Sequence, residues 1–183
     1  MTNNTITAPK GFLAAATACG LKKSGNLDLG LIVCPTGAKA AAVFTTNKIV
    51  AAAVTISKKH IKTPLIYAVV VNSGCANACT GQPGINNAIK MCSETAGQIE
   101  ENPHNVLVAS TGIIGEQLQI KKVTAGIAKA AAKLSATPKA GLDFAKAIME
   151  ISVCLECHTL DFIQPWPHWP ITRQSKQFRL RRR

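Results

Sequence analysis

Leu65-Ile66-Tyr67-Ala68-Val69-Val70-Val71 is the stretch that decides the fold. Its side chains are apolar at odd and even positions alike. It therefore reads as a strand buried on both faces, central in a sheet that is covered on both sides. The strand runs straight into Asn72-Ser73-Gly74-Cys75-Ala76-Asn77-Ala78-Cys79-Thr80-Gly81, where every side chain is small or polar. A loop of that make lets backbone come close to a ligand.

The same grammar recurs downstream. Val106-Leu107-Val108-Ala109 reads as a second buried strand, followed by the corner Ser110-Thr111-Gly112 and then Ile113-Ile114-Gly115. Two polar loops at the ends of two buried strands commonly line one crevice in an open α/β layer. Between them, residues 85–101 read as an amphipathic helix with Ile85, Ala88, Ile89, Cys92 and Ala96 at helical spacing, closed by Pro103. Residues 123–134 form a second helix, with Val123, Ile127, Ala130, Ala131 and Leu134 as its stripe. A third starts at Pro138 and carries Leu142, Ala145, Ile148 and Met149.

Upstream, the Ala-rich residues 11–21 read as an extended lead into the sheet, and residues 22–26 as a turn with solvated Lys22 and Lys23. Residues 27–34 and 40–46 read as two strands joined at Pro35-Thr36-Gly37 into an antiparallel hairpin. Residues 50–57 suit either a strand or a strand leading into a short helix. The fold class is α/β: a mixed sheet covered by helices, as in one half of a layered α-β-β-α sandwich.

Hydrophobic residues make up 47% of the chain and charged ones 16%, enough for one domain with a real core. No apolar run reaches the roughly 18 residues of a membrane span. Residues 1–10 lack the basic-then-apolar order of a signal peptide. The expectation is a cytoplasmic chain with no membrane partner, whose seven cysteines are free thiols. Cys75 and Cys79 read as small loop fillers. Asn72, Asn77 and Thr80 read as residues that fix the loop by local hydrogen bonds. His60 and His104 sit in turn-like contexts with no sign of a base.

The net charge of +12 is unevenly built. Residues 1–150 hold fifteen Lys and no Arg, whereas residues 151–183 hold five Arg and one Lys, together with both Trp residues, Trp166 and Trp169. That break divides the chain into a domain at residues 1–149 and a basic tail at 150–183, expected to be loosely ordered. Only the last residues of the tail are dense enough in Arg to hold a polyanion, so nucleic acid is a minor reading. Cys154-Leu155-Glu156-Cys157-His158 fits the C-x-x-C-H pattern of haem attachment. That chemistry needs an exported chain, and a structural zinc site would have to recruit His168 across Pro165-Trp166-Pro167 to reach four ligands, a spacing that favours only three or so. No cofactor and no metal are assigned.

Several segments together resemble the N-terminal half of the ornithine acetyltransferase family, whose members are also called bifunctional glutamate N-acetyltransferases of arginine biosynthesis. The segments are Gly20-Leu21-Lys22 through Asp28-Leu29, Ala42-Val43-Phe44-Thr45-Thr46-Asn47, Val71-Asn72-Ser73-Gly74 with Ala76-Asn77-Ala78-Cys79-Thr80-Gly81, residues 106–115, and Ala147-Ile148-Met149. They cover roughly residues 10–149 in the family's order. One departure is Cys75, where the family has asparagine, so a loop hydrogen bond is expected to differ.

The resemblance implies a precursor that cuts itself into an α and a β chain. The new N-terminal threonine of the β chain takes acetyl from N-acetylornithine and passes it to glutamate, with acetyl-CoA as a further donor in some members. The family's oxyanion pair falls on Thr111 and Gly112, a hydroxyl and a backbone N–H of the kind a tetrahedral intermediate needs. After Met149 the match ends. The family's Thr-Thr-Asp, Lys-Gly-Ser-Gly and Ala-Thr motifs do not appear, and the break coincides with the switch from Lys to Arg. The expectation is a truncated α-chain-like fragment with a frameshifted or otherwise foreign tail, which carries the oxyanion half and no nucleophile. Its partners would be these small substrates and a β chain in a hetero-oligomer. The alternatives are an inactive remnant that at most associates with an intact subunit, and a basic-tailed nucleic-acid binder.

Overall fold

The computed structural model describes residues 5–149 and a short strand at Phe178–Arg181. The Cys154–His158 pattern, Trp166, His168, Trp169 and the rest of the tail lie outside the described residues.

The elements run β1 (Leu13–Thr17), β2 (Leu29–Ala42), α1 (Ala52–His60), β3 (Ile66–Asn72), α2 (Gly81–Gln98), β4 (Val106–Ser110), α3 (Ile120–Ala131), α4 (Pro138–Ala147) and β5 (Phe178–Arg181). The sheet order is β1-β2-β3-β4, with β5 paired to the far end of β2. Pairings β1–β2 and β2–β3 are antiparallel and β3–β4 is parallel, so the sheet is mixed. The parallel pair needs a crossover, which α2 supplies. β3 sits between β2 and β4, as its two-faced apolar sequence requires.

Alternation along the strands separates two cores. Leu31, Val33, Ala68, Val70, Val106 and Val108 pack with Ile56, Met91, Val123 and Ile127 of α1, α2 and α3. Ile32, Cys34, Val69 and Leu107 face the other way and meet Phe144 of α4. Helices therefore cover both sheet faces.

The expected hairpin at Pro35-Thr36-Gly37 is not formed. β2 is one strand of 14 residues that runs through it. The pairing with β3 slips between Val33↔Ala68 and Ala38↔Ile66, and Gly37 takes φ +69°. Residues with turn chemistry are thus absorbed in a bulge. There Pro35 needs no ladder N–H, because the β1 ladder already ends at Val33. Residues 52–60 are helical and no strand leads into them from residue 50, so the helix of the second reading is present and the strand common to both readings is not.

Four further expectations shift. α2 starts at Gly81, with Pro83 in its first turn, where a missing N–H is tolerated. It ends at Gln98, ahead of Pro103: Glu100 is left-handed (φ +55°) and the Glu101 N–H returns to the Ala96 carbonyl at 2.9 Å, a Schellman closure. Its buried stripe is Gly84, Ala88, Met91, Cys92, Thr95 and Ala96, which leaves Ile89 45% exposed. α4 buries Gly141, Phe144 and Ala147, where Leu142 and Ala145 were expected.

Among the described residues β4 is the sheet's edge, and α1 covers it. The Ser57 hydroxyl donates to the Val108 carbonyl at 2.6 Å and accepts the Val108 N–H at 2.9 Å. His60, buried in the last turn of α1 and not in a loop, pairs Nδ1 with the Val106 carbonyl at 2.8 Å, and burial holds its pKa below the ordinary histidine value. One small hydroxyl thus satisfies two outward-facing backbone groups. Ser57→Ala strands both in the core, and a loss of about 2–4 kcal/mol is expected in urea denaturation.

Candidate functional site

The parallel ladder places Asn72 opposite Ser110, so the two polar loops leave the sheet side by side. They stay zipped beyond it. Thr111 N–H donates to the Asn72 carbonyl (3.0 Å), Ile113 N–H to Gly74 (3.4 Å), Ala76 N–H to Ile113 (2.9 Å) and Gly115 N–H to Ala78 (2.9 Å). The expected meeting of the two strand-end loops is therefore present. Gly112 lies where they touch. Its φ is +126°, and a Cβ there would fall 2.3 Å from the Gly74 carbonyl carbon and 2.5 Å from the Cys75 nitrogen. Both the backbone angle and the space demand glycine.

Side chains inside the first loop hold its shape. Asn72 Nδ2 donates to the Cys75 carbonyl (2.8 Å), Asn77 Nδ2 to the Gly84 carbonyl (2.9 Å), and the Thr80 hydroxyl to Asn77 Oδ1 (2.9 Å). Asn77 is left-handed (φ +47°) and fully buried, and its carbonyl takes the N–H of Ala52, the first residue of α1, at 3.1 Å. These are the local bonds expected of Asn72, Asn77 and Thr80. Cys75 is buried, with its Sγ donating to the Glu116 carbonyl at 3.4 Å. Cys79 is exposed, and no two of the five cysteines among the described residues are joined in a disulfide.

Thr111 and Gly112 are both half-buried at the mouth of this corner. The Thr111 N–H is used by Asn72. Among the described residues no group bonds the Thr111 hydroxyl or the Gly112 N–H. A hydroxyl and an N–H fixed on a rigid corner can stabilise a negative oxygen. Beyond them Ile113 and Ile114 are 54% and 66% exposed.

Asp28 is a residue that sequence reasoning passed over as part of a strand. Its carboxylate is buried and accepts the N–H groups of Cys19 (2.6 Å), Gly20 (3.0 Å), Leu21 (2.7 Å) and Lys22 (3.1 Å). Its own carbonyl accepts the Ser73 N–H at 2.8 Å. Leu21 in turn lies against Gly74. Asp28 therefore holds the segment that backs the first loop. Burial alone would raise its carboxyl, but the N–H bonds, those of Cys19 and Lys22 foremost, outweigh it and leave the pKa below the ordinary value. Burial, and next the Asp28 carboxylate, push the Cys19 thiol up to about 12. Lys22 is not solvated, as its charge suggests, but donates Nζ to the Leu27 carbonyl (3.1 Å) and to that of Met149. Ser73 Oγ donates to the Ala147 carbonyl at 2.5 Å, so the end of α4 is tied to the same place.

A model of the ArgJ family matches residues 13–156. The arginine biosynthesis bifunctional protein ArgJ of Bacillus subtilis (strain 168) is 39% identical over 158 residues, 85% of this chain and 38% of that protein. The mitochondrial protein of that name in Dictyostelium discoideum is 48% identical over 149 residues, 80% of this chain and 33% of that protein. The crystal structure of the Bacillus halodurans bifunctional protein superposes with a TM-score of 0.78 at 37% identity, covering 84% of this chain and 80% of that one. The ornithine acetyltransferase of Mycobacterium tuberculosis, solved in complex with ornithine, gives 0.79 at 37% identity, covering 84% and 83%. The chain spans about a third of the length of the curated relatives it matches, yet most of each solved chain.

Proposed function

The chain belongs to the ArgJ family, and from that premise we propose that it forms one half of an acetyl-transfer site of arginine biosynthesis. The reaction is transfer of acetyl from N-acetylornithine to glutamate, with acetyl-CoA as a further donor, in the cytoplasm. The observation that carries the reading is the corner itself. The Thr111 hydroxyl and the Gly112 N–H are held by the zipped loops and have no partner among the described residues. They are the two donors of the oxyanion hole, ready for the tetrahedral intermediate of acyl transfer.

The nucleophile is the N-terminal threonine of a β chain that joins this one in a hetero-oligomer. The lengths support that division, because the chain matches most of each solved chain and only a third of the full-length relatives. Residues 150–183 carry none of the family's later motifs, which favours a second reading: a fragment that binds an intact β chain without restoring turnover.

Acetyl transfer from N-acetylornithine to glutamate, followed by mass spectrometry, separates these readings. The isolated chain is expected to show no turnover, because an oxyanion hole without its nucleophile retains little chemistry. Mixed with a β chain of the family, it is expected to support transfer. Turnover by the chain alone would overturn the division of labour. Stable association without turnover would favour the second reading.

A further inference from the structure

We propose that Asn72 and Ser110 form a cross-strand pair that positions the Thr111–Gly112 corner; only the purpose of the corner rests on the acyl-transfer reading. Asn72 reaches both loops at once. Its carbonyl takes the Thr111 N–H at 3.0 Å, and its Nδ2 donates to the Cys75 carbonyl at 2.8 Å. The first bond fixes where β4 ends and the corner begins. The second holds the Cys75–Ala76 peptide, the unit next along the chain from the Gly74–Cys75 peptide against which Gly112 lies. One side chain and its own carbonyl thus set both walls of the contact.

Ser110 is the mate of Asn72. The two are register partners in the parallel β3–β4 ladder, so their side chains share a face on strands about 4.8 Å apart. Asn72 is fully buried and Ser110 is 5% exposed. Once the bonds above are made, one polar atom is left on each: Asn72 Oδ1 and Ser110 Oγ. Both are sealed from solvent and neither has a partner among the described residues. Buried polar atoms in that state are costly, and most find a partner. These two are complementary, since an amide oxygen only accepts and a serine hydroxyl can donate. Rotation of Ser110 between staggered χ1 wells turns its Oγ–H toward Oδ1. That bond holds the Asn72 amide in the plane that serves Cys75. It also locks Ser110, the residue that leads directly into Thr111.

Amide hydrogen exchange of the full chain, read residue by residue by NMR, tests the pair. Asn72→Asp keeps the shape but replaces the donor to Cys75 with a second acceptor. Ser110→Ala removes the hydroxyl alone. In both variants the Ala76, Thr111 and Ile113 amides are expected to exchange at least tenfold faster. The Gly112 resonance should move, while Leu107 and Val108 keep their rates. The double variant is expected to be no faster than Asn72→Asp, because the two residues act as a unit. Unchanged loop amides in Ser110→Ala, a uniform rise along β4, or additive effects would overturn the proposal. If Asn72→Asp does not fold, Ser110→Ala carries the test.

None of these readouts needs acetyl transfer. In the enzyme reconstituted with a β chain, Ser110→Ala is expected to lower kcat about tenfold with KM unchanged. Loosened loops with an unchanged kcat would leave the pair standing and sink the oxyanion reading of Thr111 and Gly112.

Discussion

Asp28→Asn is expected to cost about 3–5 kcal/mol of folding stability, near the top of the range for a single residue. Four backbone N–H groups converge on its carboxylate. The near-isosteric amide offers one oxygen and turns its NH₂ toward donors, so part of the set loses its acceptor. The damage is not confined to residues 19–22. Leu21 lies against Gly74, and the Asp28 carbonyl holds Ser73, so the first loop loses its backing as well. Urea denaturation measures the loss, and a change below about 1 kcal/mol would show that water replaces the carboxylate without penalty.

The same residue sets an acid limit. Its carboxyl titrates below the ordinary value in the fold, because the N–H bonds outweigh the burial that would raise it. The unfolded chain therefore takes up the proton first. The stabilisation is fully present above the ordinary carboxylate range and drains away as pH falls through about 4 and below. The denaturation midpoint of the protein should fall over that window, and Asp28→Asn should flatten the slope.

What the sequence revealed depended on how local the physics was. β3 was legible because apolar side chains at successive positions have one good explanation, a strand covered on both faces, and the sheet supplies it. The meeting of the two polar loops was legible for a related reason: parallel strands bring their C-terminal ends to one edge. β2 was not legible. Pro35-Thr36-Gly37 is good turn chemistry, and nothing in three residues tells a hairpin from a bulge. The difference lies in the partners, β1 ending at Val33 and β3 resuming at Ala38.

The helix stripes were displaced for a different reason. α2 turns Met91 inward and Ile89 outward, and α4 buries Phe144 against β2 at Gly30. Helical spacing alone admitted both phases, and tertiary packing chose between them. Asp28 and Lys22 were the least legible of all. A lone acid in an apolar strand and a lysine in a turn look like solvated charges until the backbone groups around them are seen. Ser57 was hidden in the same way, since only the edge position of β4 makes its hydroxyl necessary.

Gly112 and Thr111 allow the packing and the chemistry of the corner to be separated. Gly112→Ala places a methyl 2.3 Å from the Gly74 carbonyl carbon at a φ of +126°, so the two loops must part. In the enzyme reconstituted with a β chain, acetyl transfer is expected to fall by about 10²–10³-fold or more, because the N–H leaves its place even though it is still there. The thermal midpoint should fall as well, since the bonds between Gly74 and Ile113 and between Ala76 and Ile113 cross that same contact. Thr111→Val makes the complementary change. It keeps the shape and the N–H bond to Asn72 and deletes only a hydroxyl that bonds nothing among the described residues. The thermal midpoint should stay put while kcat drops about 10²-fold with KM little changed, the pattern of an interaction made only in the transition state. An unchanged kcat in Thr111→Val would remove the hydroxyl from the oxyanion hole. Loss of activity only in Gly112→Ala would then make the corner a structural contact between two loops and leave the donors to be sought elsewhere on the assembled enzyme.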